Sequence, residues 1–239
     1  MSKKLIFLGR AENFLRYTDI AKLQGYETLG IIDSDYYNNT KDFHGFPYIG
    51  SEDHLDEVYQ NFGTEQISFF IGATSVVGSN ESQLRTKQKR QKMIEIAEKN
   101  KLDIINLIHP TVIIPETCKI GKGVFISAYS VLQNFVEIKD FALLREFVLV
   151  ADGSVIGKNT VLCQYAYVGA HVDIGDDCYI GVQSSIIRND SEKIHTRVNI
   201  GKNCITHPGT IVLRSLPENS VVTIGKGRIR GTFEKTTVD

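Results

Sequence analysis

The sequence predicts an α/β N-terminal Rossmann-like domain followed by a left-handed parallel β-helix, with the units expected at 1–105 and 106–239. Three observations carry this. Aliphatic residues recur at every sixth position from Ile108 to Ile186. Short apolar runs alternate with helical patterns before residue 105. An Ile-His-Pro step at 108–110 joins the two regions.

The first region reads in order. KLIFLG, residues 4–9, is an apolar run ending in glycine, which suits a buried strand. ENFLRYTDIAKLQGY reads as a helix with Phe14, Ile20 and Leu23 inward and Gly25 near its C-terminal cap. ETLGIID is a second strand, ending on Asp33. EDHLDEVYQNF reads as a helix, QISFFIG as a third strand and QLRTKQKRQKMIEIAEKN as a helix. DIINLIHP is a last strand that delivers the chain into the repeat. Strands alternating with helices imply a parallel sheet. The basic run RTKQKRQK reads as a solvated helix face, because Glu95 and Glu98 follow it. In such a sheet, the turn after the first strand and the acid after the second face a ligand crevice. Those positions are Ala11, Glu12 and Asn13, and Asp33. Gly9 is the turn's lone glycine, and Glu12 would repel a diphosphate.

In the second region, a period of six fits neither a helix nor a single strand. It is the repeat of a β-helix, three hexapeptides to a triangular coil of eighteen residues. The aliphatic residue fills the interior. The residue two before it, from Asn106 to Ser184, is small or β-branched almost throughout and lets the corner close. Glycine follows the aliphatic position at Gly121, Gly157, Gly169, Gly175 and Gly181, where a turn with positive φ is expected. The repeat breaks at 188–199, which reads as a projecting loop, and resumes with Cys204 and Val212 in phase. Cys118, Cys178 and Cys204 fall on small interior positions, leaving Cys163, at a turn, as the one thiol placed to react.

Composition narrows the classes. A formal net charge of -1 gives no field to draw nucleic acid or an anionic membrane to the whole surface. The four cysteines form no CxxC pair, so no zinc site or disulfide framework is expected. MSKKLIFLG lacks a signal-peptide core and no run approaches a membrane span, so the expected location is cytoplasmic.

The segments KLIFLG, GYETLGIIDSD, GFPYIGSEDHL, LIHPTVIIPETCKIGKGVFI and VDIGDDCYIGVQSSI together resemble the hexapeptide-repeat sugar O- and N-acyltransferases. That family is typified by sialic-acid O-acetyltransferases and UDP-4-amino-sugar N-acetyltransferases. The resemblance covers nearly the whole chain. It implies a homotrimer with acetyl-CoA in the groove between adjacent β-helices, at Val161, Ala170 and Val182. It implies a nucleotide-linked sugar on the N-terminal domain, at Ala11, Glu12, Asn13 and Asp33, and a role in surface-glycan biosynthesis. In the family a histidine two residues past an interior aliphatic acts as base. Here Asp152 stands at that position, stacked between Asn134 and Ala170, and the thioester-facing histidine falls on Val161. The family's glycine-rich turn is replaced by GRAEN.

Acyl transfer from a thioester needs a nucleophile, a destination for its proton and a donor for the oxyanion. His171, nineteen residues after Asp152, is one candidate base, with the acid orienting the imidazole. His195 in the projecting loop is another, whereas His207 and His109 read as structural. A second route needs no histidine, because an unprotonated amine attacks a thioester directly. Asp152 would then orient the amine beside Asn134. The absence of the histidine therefore favours N- over O-acylation. The alternative is an acyltransferase homologue that has lost catalysis and acts as a binding or scaffold protein. A three-histidine metal site is not expected, since His171, His195 and His207 lack the spacing.

Overall fold

The computed structural model describes residues 3–10, 13–55, 62, 67–73, 81–188 and 197–223, the side chains of 81–85 excepted. In the N-terminal part, β1 (Lys3–Leu8), β2 (Tyr26–Ile32), β3 (Asp42–Phe43), β4 (Phe46–Gly50) and β5 (Ile67–Ile71) form one sheet in the order β3-β4-β2-β1-β5. All pairs are parallel except the β3–β4 edge hairpin. Among the described residues the main helices are α1 (Phe14–Leu23), α2 (Ser34–Tyr37) and α3 (Glu81–Lys99).

Several expectations shift here. Leu23 is 58% exposed, while Phe14, Tyr17, Ile20 and Ala21 are buried. At 100° per residue, Leu23 lies half a turn away from Phe14. The β3–β4 hairpin was not anticipated. It turns on His44 and Gly45, both at positive φ, the geometry a two-residue hairpin requires. DIINLIHP is not one strand. Ile104 bridges Phe69 of the N-terminal sheet, whereas Leu107–Ile108 pairs with Phe125–Ile126 of the coil. The helix expected over EDHLDEVYQNF lies mostly outside the described residues.

The second part is a parallel β-helix with three faces. The docked face runs from Leu107–Ile108 through Phe125–Ile126, Leu143–Leu144, Val161–Leu162 and Tyr179–Ile180 to Val221–Val222. The apolar face runs from Val131–Leu132 through Leu149–Val150, Tyr167–Val168 and Ser185–Ile186 to Ile211–Val212. The polar face runs from Lys119–Ile120 through Glu137–Ile138, Val155–Ile156 and Val172–Ile174 to Val198–Ile200. The every-sixth aliphatics from Ile126 to Ile186 fill the interior together with Val124, Ala142, Cys178 and Cys204. Beyond the break, Ile174 pairs with Ile200 where an unbroken coil would pair it eight residues earlier, and the loop expected at 188–199 lies mostly outside the described residues.

Positive φ occurs at every sixth residue from Gly123 to Gln183, but not where the sequence suggested. The left-handed positions are occupied mainly by Tyr129, Phe135, Phe141, Phe147, Asn159, Tyr165, His171 and Asp177. A left-handed non-glycine residue costs about 1–2 kcal/mol. Ring stacking between coils offsets part of this: Tyr129 lies 5.4 Å from Phe147, and Phe147 4.8 Å from Tyr165 at 4°. The glycines after the aliphatics answer a different need, close approach between coils. A Cβ on Gly157 would come within 2.3 Å of the Gly175 carbonyl carbon.

The N-terminal part packs on the docked face, where Phe7, Phe14, Tyr17 and Phe70 meet Phe125, Leu143, Val161 and Cys163 in one apolar cluster. Arg90 of α3 is fully buried at this joint. It donates to the carbonyls of Ala73 (2.5 Å) and Phe141 (2.7 Å) and to Asn159 Oδ1 (2.7 Å). Burial lowers its pKa to about 10, so it remains charged at neutral pH. The basic run is therefore a dock rather than a solvated face. Lys87 reaches Asn203, while Lys89 and Lys92 pair with carboxylates.

Candidate active site

Asn134, Asp152, Ala170 and His171 lie at the corner between the apolar and polar faces, one coil above another. Successive coils are about 4.8 Å apart, so side chains on this edge are neighbours. Asp152 is half-buried, and Asn134, Ala170 and His171 are exposed. One Asp152 oxygen, Oδ1, accepts the Asn134 amide at 2.9 Å. The same bond recurs at the next corner, where Asp140 takes the Lys122 amide and Asp176 the Lys158 amide, each at 2.9 Å. Asp152 thus belongs to a set of corner aspartates that cap the coil below. Its Oδ2 has no hydrogen-bond partner among the described residues.

His171 occupies the left-handed corner residue itself (φ 57). Its amide donates to the Asp152 carbonyl at 2.9 Å, but no hydrogen bond joins imidazole and carboxylate among the described residues. The ring lies over Gly153, where a Cβ would stand 2.9 Å from Nδ1. Beside it, Arg197 donates to Asp173 through Nε (2.6 Å) and Nη2, and to the Gly153 carbonyl at 2.8 Å. The hydrogen bonds to Asp173 raise its pKa. Arg197 fastens the chain to the coil where it returns from the break. A groove of about 680 Å³ runs along the polar face past Asp173, Glu137 and Lys202.

Other expected site residues are not gathered here. Val161 is fully buried in the apolar joint with the N-terminal sheet, so it offers no surface to a ligand in this chain. Val182 is partly buried and packs against the same joint. Cys163 is 1% exposed and burial raises its pKa, which removes it as a reactive thiol. His109 bonds Thr111 Oγ1 at 2.8 Å and lies 6.5 Å from the Tyr129 ring. His195, Ala11 and Glu12 lie outside the described residues. Among the described residues, no group of three or more His, Cys, Asp or Glu is placed to hold a metal. No helix there is long and apolar enough to cross a membrane.

The N-terminal crevice forms at the C-terminal ends of β1, β2 and β4. Asp33 is fully buried, and its oxygens take the amides of Arg10 (3.0 Å) and Asp35 (3.2 Å) and the Lys89 ammonium (2.5 Å). Burial works against the Lys89 charge, but the bonds to Asp33 and Asp35 outweigh it and raise the pKa. Glu52 is buried and accepts the Ser34 amide and hydroxyl, both at 2.7 Å, and Lys92 at 3.1 Å. Burial raises the Glu52 pKa, but these bonds prevail and lower it. The Arg10 guanidinium sits 4.2 Å from the Tyr36 ring centre and 4.3 Å from that of Phe43. Asn13 precedes α1 without a side-chain cap bond. The sequence reading missed Arg10, Tyr36, Tyr48 and Glu52. The nearest signal was Arg10 following Gly9 at the end of an apolar strand.

No family model matches the chain. Among curated proteins, it is 32% identical over 124 residues to an acyl-[acyl-carrier-protein]–UDP-N-acetylglucosamine O-acyltransferase of Chlamydia caviae. The match covers 49% of this chain and 37% of that protein. Among solved structures, PerB of Caulobacter crescentus, in complex with CoA and GDP-perosamine, superposes with a TM-score of 0.64 at 19% identity, covering 92% of this chain and 93% of that one. WeeI of Acinetobacter baumannii gives 0.62 at 18%, over 95% and 99%. The acetyltransferase domain of PglB from Neisseria gonorrhoeae, with acetyl coenzyme A, gives 0.57 at 19%, over 93% and 97%. These likenesses establish a shared fold across both parts of the chain.

Proposed function

We propose that the chain is an acetyl-CoA-dependent N-acyltransferase acting on a nucleotide-linked amino sugar in surface-glycan biosynthesis. The observation that carries this reading is the fold likeness over more than nine-tenths of the chain to PerB, whose structure holds CoA and GDP-perosamine. In this reading 1–105 is a Rossmann-like substrate-binding domain and 106–239 a left-handed β-helix that binds acetyl-CoA. The site has no histidine at the position of Asp152. A neutral sugar amine therefore serves as nucleophile, its N–H directed by the second Asp152 oxygen. The amine nitrogen bonds the thioester carbonyl carbon, the carbon–sulfur bond breaks, and CoA leaves as thiol. The proton lost by nitrogen passes by way of the His171 imidazole or water to the departing sulfur. Asn134 is the polar neighbour on the same edge, and Ala170, small and exposed, leaves space on the next coil.

The Asp152 corner and the N-terminal crevice lie on different sides of one coil, since the N-terminal part packs on the docked face. A substrate held by one chain would thus meet the corner of another, as a homotrimer allows. The apolar face supports this assembly. It carries Ile113, Tyr167 and Ile211 at 60%, 39% and 64% exposure, and the Tyr129–Phe147–Tyr165 stack edges it. Contiguous exposed apolar surface of this kind marks a protein interface.

The second reading, a homologue without catalysis, is favoured by one observation: Asp152 bonds Asn134 as Asp140 and Asp176 bond their corners, which a purely structural role explains. Thiol release from acetyl-CoA, measured against dTDP-, UDP- and GDP-amino sugars, separates the two. The proposal expects turnover with at least one amine sugar and none with its hydroxyl counterpart. Acetyl-CoA binding without turnover on the whole panel would favour the second reading.

A further inference from the structure

Arg10 is the crevice cation that no carboxylate side chain neutralises among the described residues. Asp33 and Asp35 share Lys89, and Glu52 and Asp53 share Lys92. Asp35 and Asp53 are more than half exposed, so solvent screens them, while the buried Asp33 and Glu52 are each matched by a lysine. That leaves the guanidinium as the unmatched charge. The Tyr36 and Phe43 rings both lie against it, and one nitrogen, Nη2, donates to the Tyr36 hydroxyl at 3.2 Å. Nε and Nη1 have no hydrogen-bond acceptor among the described residues. Tyr48, stacked on Tyr36 at 5.6 Å, is 7% exposed, and its hydroxyl is buried beside the Arg10 guanidinium without a hydrogen bond of good geometry. Burying a hydroxyl without a partner costs about 1–3 kcal/mol, so the pocket is built for something more.

We propose that Arg10, with the Tyr48 hydroxyl beside it, receives a phosphate group of the ligand in this crevice. The inference rests on the reading that a nucleotide-linked ligand binds here, and it names how that ligand is held. A guanidinium held in a plane presents paired N–H donors that match two phosphate oxygens. Side-chain charge thereby does the work that backbone amides do in a glycine-rich turn, which explains why GRAEN needs only Gly9. The aromatic walls fix the guanidinium in advance, so little rotamer entropy is lost on binding.

Calorimetry on the full chain tests this with UDP, GDP and dTDP and with the parent nucleosides. The inference expects one diphosphate to bind the wild type, and Arg10→Gln to weaken it about ten- to hundredfold. Arg10→Lys should recover only part of the loss, and nucleoside affinity should not change. Tyr48→Phe should weaken the diphosphate several-fold while nucleoside affinity stays unchanged. Diphosphate binding equal in wild type and Arg10→Gln would overturn the inference and leave the nucleotide reading standing. Equal losses for diphosphate and nucleoside would also overturn it, reducing Arg10 to a stacking role. No diphosphate binding by the wild type would overturn both.

Discussion

Asp152 caps the coil below and, in the proposed reaction, orients the amine, and these two roles separate by substitution. Its capping bond to the Asn134 amide needs only an acceptor oxygen, whereas orientation of an amine needs the charge. Asp152→Asn should fold with near-wild-type stability yet lose most turnover. Asp152→Ala should also lose about 1 kcal/mol, read by denaturant melts. If the Asn variant keeps full turnover, the carboxylate has only a structural part. Gly153→Ala probes the neighbour. A methyl group there meets the His171 ring at 2.9 Å and sits at φ +64, so we expect a loss of about 1–2 kcal/mol and a displaced imidazole. Glu52 sets a pH dependence. Its folded pKa is lowered, so its contribution is present above the ordinary glutamate range and is lost as pH falls through the folded value. Melting temperature against pH should therefore fall less steeply on the acid side in Glu52→Gln than in wild type.

At the scale of the element, α3 is the piece that determines how the two parts of the chain sit. Arg90→Met removes the bonds to the carbonyls of Ile71, Ala73 and Phe141 and to Asn159 inside the buried joint. Buried acceptors left without partners cost about 1–3 kcal/mol each. We expect a fall in melting temperature and a split of the single transition, seen by calorimetry, as the N-terminal part loosens first. The hexapeptide coil was legible because one interior demand repeats every six residues and nothing else in the chain competes with it. The corners were not legible. Positive φ suggested glycine, yet Phe147 and Tyr165 hold those positions because stacking between coils compensates them. Arg90 was hidden for a related reason. Amid seven polar neighbours in RTKQKRQK it reads as solvated, and only the approach of the Phe141 corner makes it a core residue. The β3–β4 hairpin escaped because Pro47 and Gly45 broke the strand pattern.

For the whole molecule, the proposed reaction requires more than one chain. The Asp152 corner and the Arg10 crevice are built on different sides of the coil, and the apolar face between two of its corners lies uncovered in the single chain. Light scattering should give the mass of three chains. Tyr167→Lys with Ile211→Lys should break the assembly and abolish turnover while leaving diphosphate binding in the crevice intact. What sequence could say about the candidate site was the edge it lies on, since eighteen-residue stacking follows from the repeat. Which side chains on that edge are free to meet a ligand depends on contacts between coils, as the capped oxygen of Asp152 shows. The most direct measurement is a crystal structure of the assembled protein with CoA bound. The sulfur is expected at the Asn134–Asp152–Ala170 edge, with the Arg10 crevice of a neighbouring chain facing it. CoA bound with its sulfur away from that edge, or no CoA binding at all, would contradict it.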